Sequence, residues 1–479
     1  MVRGIGFPCG RRSAMERPGH SSIDAVMGNA PSARSPRRSS TSVARWPQID
    51  GGNDTMTEDR RSIVPTPRPG AASARKRLLV FAYACEPGRG SEPGAGWGLV
   101  RALHGFCDCV VLVGPEHMPA IRRWEQQHAE RGLSFVEVPE ASWTASEPRH
   151  RFTRFVIYLD WLRRAHAFGR ILHAQQPFDL VYHATYSAYW LPTPAVRYGI
   201  PSIWGPVGGA VVTPRQLWNF LGWRGVIVEL IDRIAVRVFG ALPATRRACR
   251  LATVRVVQNE ATRDRLPVPL RRSALVLNHA LFAELPNVTN DGRARAHRGR
   301  HCVFVGALDT RKGARLAVEA LRHADETVHL DIIGSGRERP FLERLAERLG
   351  IAERTHFRGP QPREEVLKAL RTAAGAVFTG LREEGGLALA EAMLVGTPVV
   401  VLAHGGPETI ATCTTDPDRV VLVRPTDSAS TALRIGRAMS HFCDSPSDRQ
   451  DPMLDTAAAA RVLKTAIEEA CDGAAARCA

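Results

Sequence analysis

Two doubly wound α/β domains of Rossmann type, facing each other across a cleft, are what this sequence predicts. Three observations point there. Short apolar runs alternate with helical stretches from Arg77 onward, the alternation comes as two separate series, and a polar, Arg-rich stretch near 280–300 divides them. Length agrees, since 479 residues exceed one ordinary domain and 44% hydrophobic content is ample for two cores. The expected layout is a basic tail over 1–76, a first domain over 77–285 and a second over 300–479.

In the first series Leu78–Ala84, Val110–Val113, Leu133–Val138, Leu180–His183, Pro201–Trp204 and Leu251–Val257 read as short buried strands. In the second, Cys302–Val305, Val328–Ile333, His356–Arg358, Ala376–Thr379, Pro398–Leu402 and Val420–Val423 play that part. Helices are expected at about Ala314–Leu321, Arg339–Leu349, Glu364–Arg371 and Leu387–Val395. Near-continuous apolar strands alternating with helices imply parallel sheets covered on both faces. Ligands of such sheets bind beyond the carboxyl ends of the strands, so the loops after strands carry the interest.

The formal charge of +16 raises the question of nucleic acid. Its distribution argues against it. Residues 1–76 hold thirteen basic side chains against six acidic, a net of +7, in a Ser-, Pro- and Gly-rich stretch without apolar periodicity that reads as disordered. Met56 offers a later start. The rest of the charge is spread over both domains, and no zinc-finger or RNA-binding signature accompanies it. Ten cysteines without repeated spacing read as reduced thiols of a cytoplasmic protein. No run of eighteen apolar residues predicts a membrane span. The helical segments Phe152–Leu172 and Leu217–Arg250 interleave aromatic and arginine residues. The second, with Trp218, Phe220 and Trp223 beside Arg215 and Arg224, reads either as an insertion packed on the first domain or as peripheral contact with the inner face of a membrane.

Chemistry concentrates in the second series. Leu381-Arg-Glu-Glu-Gly-Gly-Leu-Ala-Leu-Ala-Glu391 follows a strand and opens a helix near Leu387. Gly385 and Gly386 free the backbone N–H groups at the helix start to face an anion such as a diphosphate. Glu383 and Glu391 offer carboxylate acceptors for vicinal hydroxyls. On the residues alone they are equally readable as surface acids. Upstream, Phe304-Val-Gly-Ala-Leu-Asp-Thr-Arg-Lys-Gly313 runs from strand to helix, and Lys312 stands where a cation meets a phosphate. The Lys precedes its Gly and no Ser or Thr follows, so this is not a Walker A loop. In the first series, Ala84-Cys-Glu-Pro-Gly-Arg-Gly-Ser-Glu-Pro-Gly-Ala-Gly-Trp-Gly98 is a glycine-rich loop entering a helix, without the dinucleotide spacing. His183 sits at a strand end, and Asn278-His279 approaches the interdomain link with no assignable role.

In this order, the Gly306–Gly313 loop, Asp331-Ile-Ile-Gly-Ser-Gly336, His356-Phe-Arg-Gly359, the glutamate pair and Gly405-Gly406-Pro-Glu408 resemble the nucleotide-sugar half of the GT-B fold, group 4 family of retaining glycosyltransferases. The resemblance covers about 304–407. It implies that Glu391 holds the ribose and Glu383 the donor-sugar hydroxyls. Gly385, Gly386 and Leu387 would supply backbone donors, and Lys312 would bind phosphate. It implies a functional His183 near the donor sugar, and an acceptor-side loop at Gly90, Ser91, Glu92 and Gly94. Two departures stand out. Ala307 occupies a position where the family usually has a diphosphate-binding Arg, for which Arg311 is a nearby substitute. Glu384 and Gly385 stand where Gly and an aromatic are common.

The function expected is therefore retaining transfer of a hexose from a nucleotide sugar to a glycan or lipid-linked acceptor. It needs no metal and no cofactor beyond the donor. The alternatives are a catalytically degenerate sugar-nucleotide-binding subunit, suggested by Ala307, and a sugar-nucleotide epimerase, which would not require the Glu383/Glu391 pattern.

Overall fold

The computed structural model describes residues 75–140, 151–285, 299–445 and 451–478. The chain divides into Met1–Ala72 and Ser73–Ala479, and every described residue belongs to the second unit. Residues 1–74 of the expected disordered tail (1–76) lie outside the described residues, and Lys76 already opens the first strand.

Two parallel sheets form the framework, as the fold class required. The first comprises β1 (Lys76–Phe81), β2 (Cys107–Val113), β3 (Leu133–Glu137), β4 (Leu180–His183), β5 (Ser202–Val207), β6 (Val254–Val257) and β7 (Ala274–Val276), in the order β3-β2-β1-β4-β5-β6-β7. The second comprises β8 (His301–Val305), β9 (His329–Ile333), β10 (Thr355–Gly359), β11 (Gly375–Phe378), β12 (Val399–Leu402) and β13 (Val420–Val423), in the order β10-β9-β8-β11-β12-β13. β7 escaped the sequence reading, because Ala274-Leu-Val276 is only three residues long and half-buried at a sheet edge.

The central strands β1, β4, β11 and β12 are buried on both faces, which is why their sequences are apolar without alternation. Helices cover both sides. One continuous apolar core includes Leu78, Val80 and Leu99 of the first series and Leu389, Val401 and Met393 of the second. The last helix, Thr456–Cys478, follows the second series in the chain but packs against β6, the helix Ser91–His104 and the turn His279–Phe282. Leu463 and Ile467 enter that shared core. The segment Leu217–Arg250 is likewise divided in its allegiance. Leu217, Phe220 and Leu221 join the core of the second sheet, while Val236 packs with Trp204 and Val257 of the first.

In each sheet the order reverses once, between β1 and β4 and between β8 and β11. Strands adjacent in space but distant in sequence send their following loops to one place, and that crevice is where a doubly wound sheet holds its ligand.

The glycine-rich stretch after β1 shows how tightly the first domain is packed. A Cβ on Gly96 would lie 2.1 Å from the Ala84 carbonyl oxygen, and one on Gly98 would lie 1.8 Å from that of Phe282. Gly90, with φ of −81°, has nothing within 4 Å of its Cβ position. Gly98→Ala should therefore destabilise the protein by roughly 2–4 kcal/mol, the range of a severe core overpacking. Gly90→Ala should fall within about 0.5 kcal/mol of the parent. Denaturant midpoints of the two variants check this, and similar values would show that the Phe282 contact is not fixed.

Candidate functional site

The reversal between β8 and β11 brings together the two loops singled out in the sequence. The chain after β8 turns through Gly306–Asp309 into a short 3-10 turn, Thr310–Lys312. Asp309 caps that turn by accepting the N–H groups of Arg311 and Lys312 at 3.0 and 3.2 Å. Gly313 then adopts a left-handed φ of +70° and passes so close to the loop after β11 that a Cβ would stand 2.0 Å from the Thr379 carbonyl oxygen. The loops are laced together. Thr379 Oγ1 donates to the Gly313 carbonyl at 2.8 Å, and Leu381 N–H donates to that of Arg311 at 2.8 Å.

This lacing aims Lys312 at Glu383. Lys312 Nζ lies 2.6 and 2.5 Å from the two carboxylate oxygens, with its stem across Gly306. Gly386 follows with φ of +143° and caps the helix Leu387–Leu394. The first N–H groups of that helix have no intrahelical partner, and such a helix start favours an anion. Glu391, one turn further in, is buried, and burial raises its pKa above the ordinary carboxylate range while the Arg363 guanidinium opposes the rise. Arg363 Nε donates to Glu391 at 2.7 Å, and its Nη2 donates to the Glu284 carbonyl at 2.7 Å.

Arg363, Glu284 and Leu387 line a cavity of about 80 Å³ together with Gly88, Arg89, Gly94 and Trp97 of the first domain. The acceptor-side loop thus meets the helix start across the cleft. Gly94 must lack a side chain because its Cβ would lie 1.9 Å from the Arg89 carbonyl oxygen, and Leu387 is already 3.8 Å away. Gly90 caps the helix Ser91–His104, Ser91 opens it with a φ of +64°, and Glu92 accepts the Tyr186 N–H at 3.1 Å. Glu92 also stands 3.8 Å from His279 Nε2, and that nitrogen is 2.8 Å from where a Gly385 Cβ would be. His279 thereby sits between the acceptor-side loop and the diglycine, a position the sequence left unassigned.

Glu384, a departure from the family pattern, has a structural task. Its carboxylate receives the Val211 N–H at 2.7 Å and Asn259 Nδ2 at 2.9 Å, with the Gly209 N–H a further donor. Asn278 Nδ2 donates to the Glu384 carbonyl at 3.0 Å. Burial raises the Glu384 pKa and these donors oppose the rise. Glu384 is thus a clasp between the two domains.

Two expectations need correction. His183 does not reach the cleft. It is buried, with Nε2 2.7 Å from the Tyr158 hydroxyl and Nδ1 3.1 Å from Thr193 Oγ1, and burial lowers its pKa to about 3. Both ring nitrogens are engaged, so its place is in the wall of the first sheet rather than beside a substrate. Arg311 is exposed and turned back on Asp309 at 2.7 Å. A further cation at the cleft is Arg363, which nothing in an Arg-rich sequence distinguished beyond its place after Pro362 at a helix start. Among the described residues, the one group suited in geometry to a metal is His301, Asp331 and His356. It stands at the amino-terminal side of its sheet, away from these loops.

Residues 293–441 match the family model for glycosyl transferases group 1. The match encloses the whole stretch that carries Lys312, Glu383 and Glu391. A D-inositol 3-phosphate glycosyltransferase of Xylanimonas cellulosilytica is 35% identical over 112 residues, 22% of this chain and 27% of that protein. A protein of the same name from Salinispora tropica is 34% identical over 154 residues, 30% of this chain and 31% of its own. The chain thus spans less than a third of the length of these relatives. The solved structure of Anabaena Alr3699/HepE in complex with UDP and glucose aligns with 82% of this chain and all of its own, at 15% identity and a TM-score of 0.47.

The position of His183 yields a pH test. Its folded pKa lies below the unfolded value of about 6.5, so the neutral ring stabilises the fold above that pH and the contribution is lost as pH falls toward 3. The loss should approach about 1.4 kcal/mol per pH unit within that window. His183→Gln, which cannot titrate, should be less stable than the parent near pH 7 yet lose stability less steeply between pH 6.5 and 3. Parallel slopes for the two proteins would mean that His183 is not sealed from water.

Proposed function

We propose that this protein is a retaining glycosyltransferase that moves a hexose from a nucleoside-diphosphate sugar to a glycan or lipid-linked acceptor, without a metal ion. The observation that carries the reading is the Lys312–Glu383 pair at 2.5–2.6 Å beside the diglycine helix start, with buried Glu391 behind it. The family match over 293–441 supports it by placing the same residues in a glycosyl-transferase segment. The relatives' acceptors are not carried over.

In this reading the diphosphate lies at the amino end of the helix Leu387–Leu394, where N–H groups and Lys312 meet the charge that develops as it leaves. Glu383 turns from Lys312 to the sugar hydroxyls, and Glu391 takes those of the ribose. The anomeric C–O bond to phosphate breaks with its electron pair leaving on the nucleoside diphosphate, the bond to the acceptor oxygen forms on the same face, and the acceptor's hydroxyl proton passes to the departing diphosphate. In this reading the cleft closes over the donor and excludes the water that would hydrolyse it. A second reading, a sugar-nucleotide-binding subunit without turnover, draws on Ala307 and on the engagement of Arg311 with Asp309. Donor turnover by the purified protein separates the two, and in the first reading it persists in excess chelator.

Isothermal titration with nucleoside, nucleoside diphosphate and sugar nucleotide tests the assignments. Glu391→Gln should weaken all three by about 1.5–3 kcal/mol, the worth of a charge-assisted hydrogen bond. Lys312→Ala should weaken both phosphorylated ligands and leave the nucleoside unchanged. Glu383→Gln should weaken the sugar nucleotide alone. Freed from its carboxylate partner, Lys312 should then bind nucleoside diphosphate as well as in the parent, or better by up to about 1 kcal/mol. Normal binding and turnover in both glutamate variants would remove the basis of the proposal.

A further inference from the structure

The helix Gly222–Ala241 carries a surface that transfer of a sugar does not use. Of the fifteen large apolar side chains exposed among the described residues, nine lie between Trp223 and Leu242. Their spacing is helical. Trp223, Ile227, Leu230, Ile231, Ile234 and Val238 fall within an arc of about 100° at 3.6 residues per turn, and each is 44–70% exposed.

The opposite face is anchored by polar contacts, so this is not a loosely docked helix. Glu229 accepts the Thr213 N–H at 3.0 Å and Arg233 Nε at 2.9 Å. Asp232 meets Arg382 at 2.6 Å, and the Val236 carbonyl accepts the Tyr189 hydroxyl at 2.9 Å. The apolar stripe faces outward because the helix is anchored to both domains by its other side.

Charge identifies what covers it. By helical period Arg224 and Arg237 flank the stripe on either side, and the Arg224 guanidinium lies 5.0 Å from the Trp223 ring centroid. Between Gly222 and Leu251 every exposed charged side chain is an arginine: Arg224, Arg237, Arg246, Arg247 and Arg250. Both acids of the stretch, Glu229 and Asp232, are taken up on the inner face. A second copy of the chain is a poor occupant. Face-to-face pairing would bring these arginines together with no exposed carboxylate of the segment to meet them, in a chain of net charge +16. An apolar stripe edged by arginine suits the boundary of an anionic bilayer, where the side chains enter the acyl region and the guanidinium groups stay among phosphates. No described helix is long and apolar enough to cross a membrane, so this helix would lie along the surface.

We propose that the Trp223–Val238 face docks the protein peripherally on anionic lipid bilayers. The inference rests on this face alone and is independent of the donor chemistry.

The test is flotation of the full chain with vesicles of phosphatidylcholine, with and without phosphatidylglycerol. Binding should require phosphatidylglycerol and weaken severalfold at high salt. Ile231→Glu combined with Ile234→Glu should lower partitioning at least roughly tenfold, with melting temperature and nucleoside-diphosphate affinity unchanged. Arg224→Glu with Arg237→Glu should abolish the preference for the anionic lipid. Absence of binding to phosphatidylglycerol vesicles, or full binding by the Ile231/Ile234 variant, would overturn the proposal. So would a dimer in light scattering that the same variant dissolves, since the face would then belong to a second copy. Nucleotide affinity is read separately, so failure on lipid and failure of the glycosyltransferase reading are distinguishable.

Discussion

The site depends on one topological constraint, the reversal of strand order between β8 and β11. Parallel strands that are neighbours in the sheet but separated in sequence by two further strands deliver their loops to a common point. No local preference of Lys312 or Glu383 could bring side chains 71 residues apart to 2.5 Å. The sheet does so, and the close passage of Gly313 under Thr379 sets the final separation. A Cβ at 313 would push one loop off the other. The ion pair is therefore a consequence of backbone fit, and its geometry reports whether the two loops are seated.

The second constraint acts between the domains. Glu384 reaches into the first domain and receives N–H donors from Val211, Gly209 and Asn259. An acceptor-only group surrounded by donors is satisfied as a carboxylate, although burial resists its charge. The same residue is flanked by Glu383, which faces Lys312, and by Gly385, which faces His279. Any motion that opens the cleft for a ligand must release this clasp or carry its partners along. Glu384 thus joins the helix-start loop of the second domain to the first domain.

Much of this was legible in the sequence. Both series of buried strands were readable because strands covered on two faces must be apolar throughout, and the glycine-bounded loops marked their carboxyl ends. Lys312, Glu383 and Glu391 stood out through the ordered set of motifs that carries them, since on the residues alone the glutamates were equally readable as surface acids. What could not be read was direction. His183 ends a strand, as a functional histidine would, yet its ring turns inward to Tyr158 and Thr193. Arg311 adjoins Lys312 in sequence, yet its guanidinium turns back to Asp309. Arg363 was indistinguishable from the many arginines around it until the helix that begins there was placed against Glu391. Residue type and spacing fix which loop a side chain occupies, whereas its partners are chosen by packing.

Arginine usage ties the interior to the surface. Arg363, Arg382, Arg315 and Arg419 are all spent on carbonyls or carboxylates that join separate segments: Glu284 and Glu391, Asp232 and Glu229, Phe220, and Gly396 and Asp416. A planar fork with several donors can satisfy two acceptors at once, which suits such junctions and explains why the chain prefers Arg to Lys inside. Lys312 is the exception that follows from the same rule. Beside Gly306 it places a compact charge on a flexible stem against the single carboxylate of Glu383. The exposed arginines of the Gly222–Leu251 stretch, Arg224, Arg237, Arg246, Arg247 and Arg250, make no such junction. Their exposure beside an apolar stripe is what separates them from the rest of the chain's positive charge.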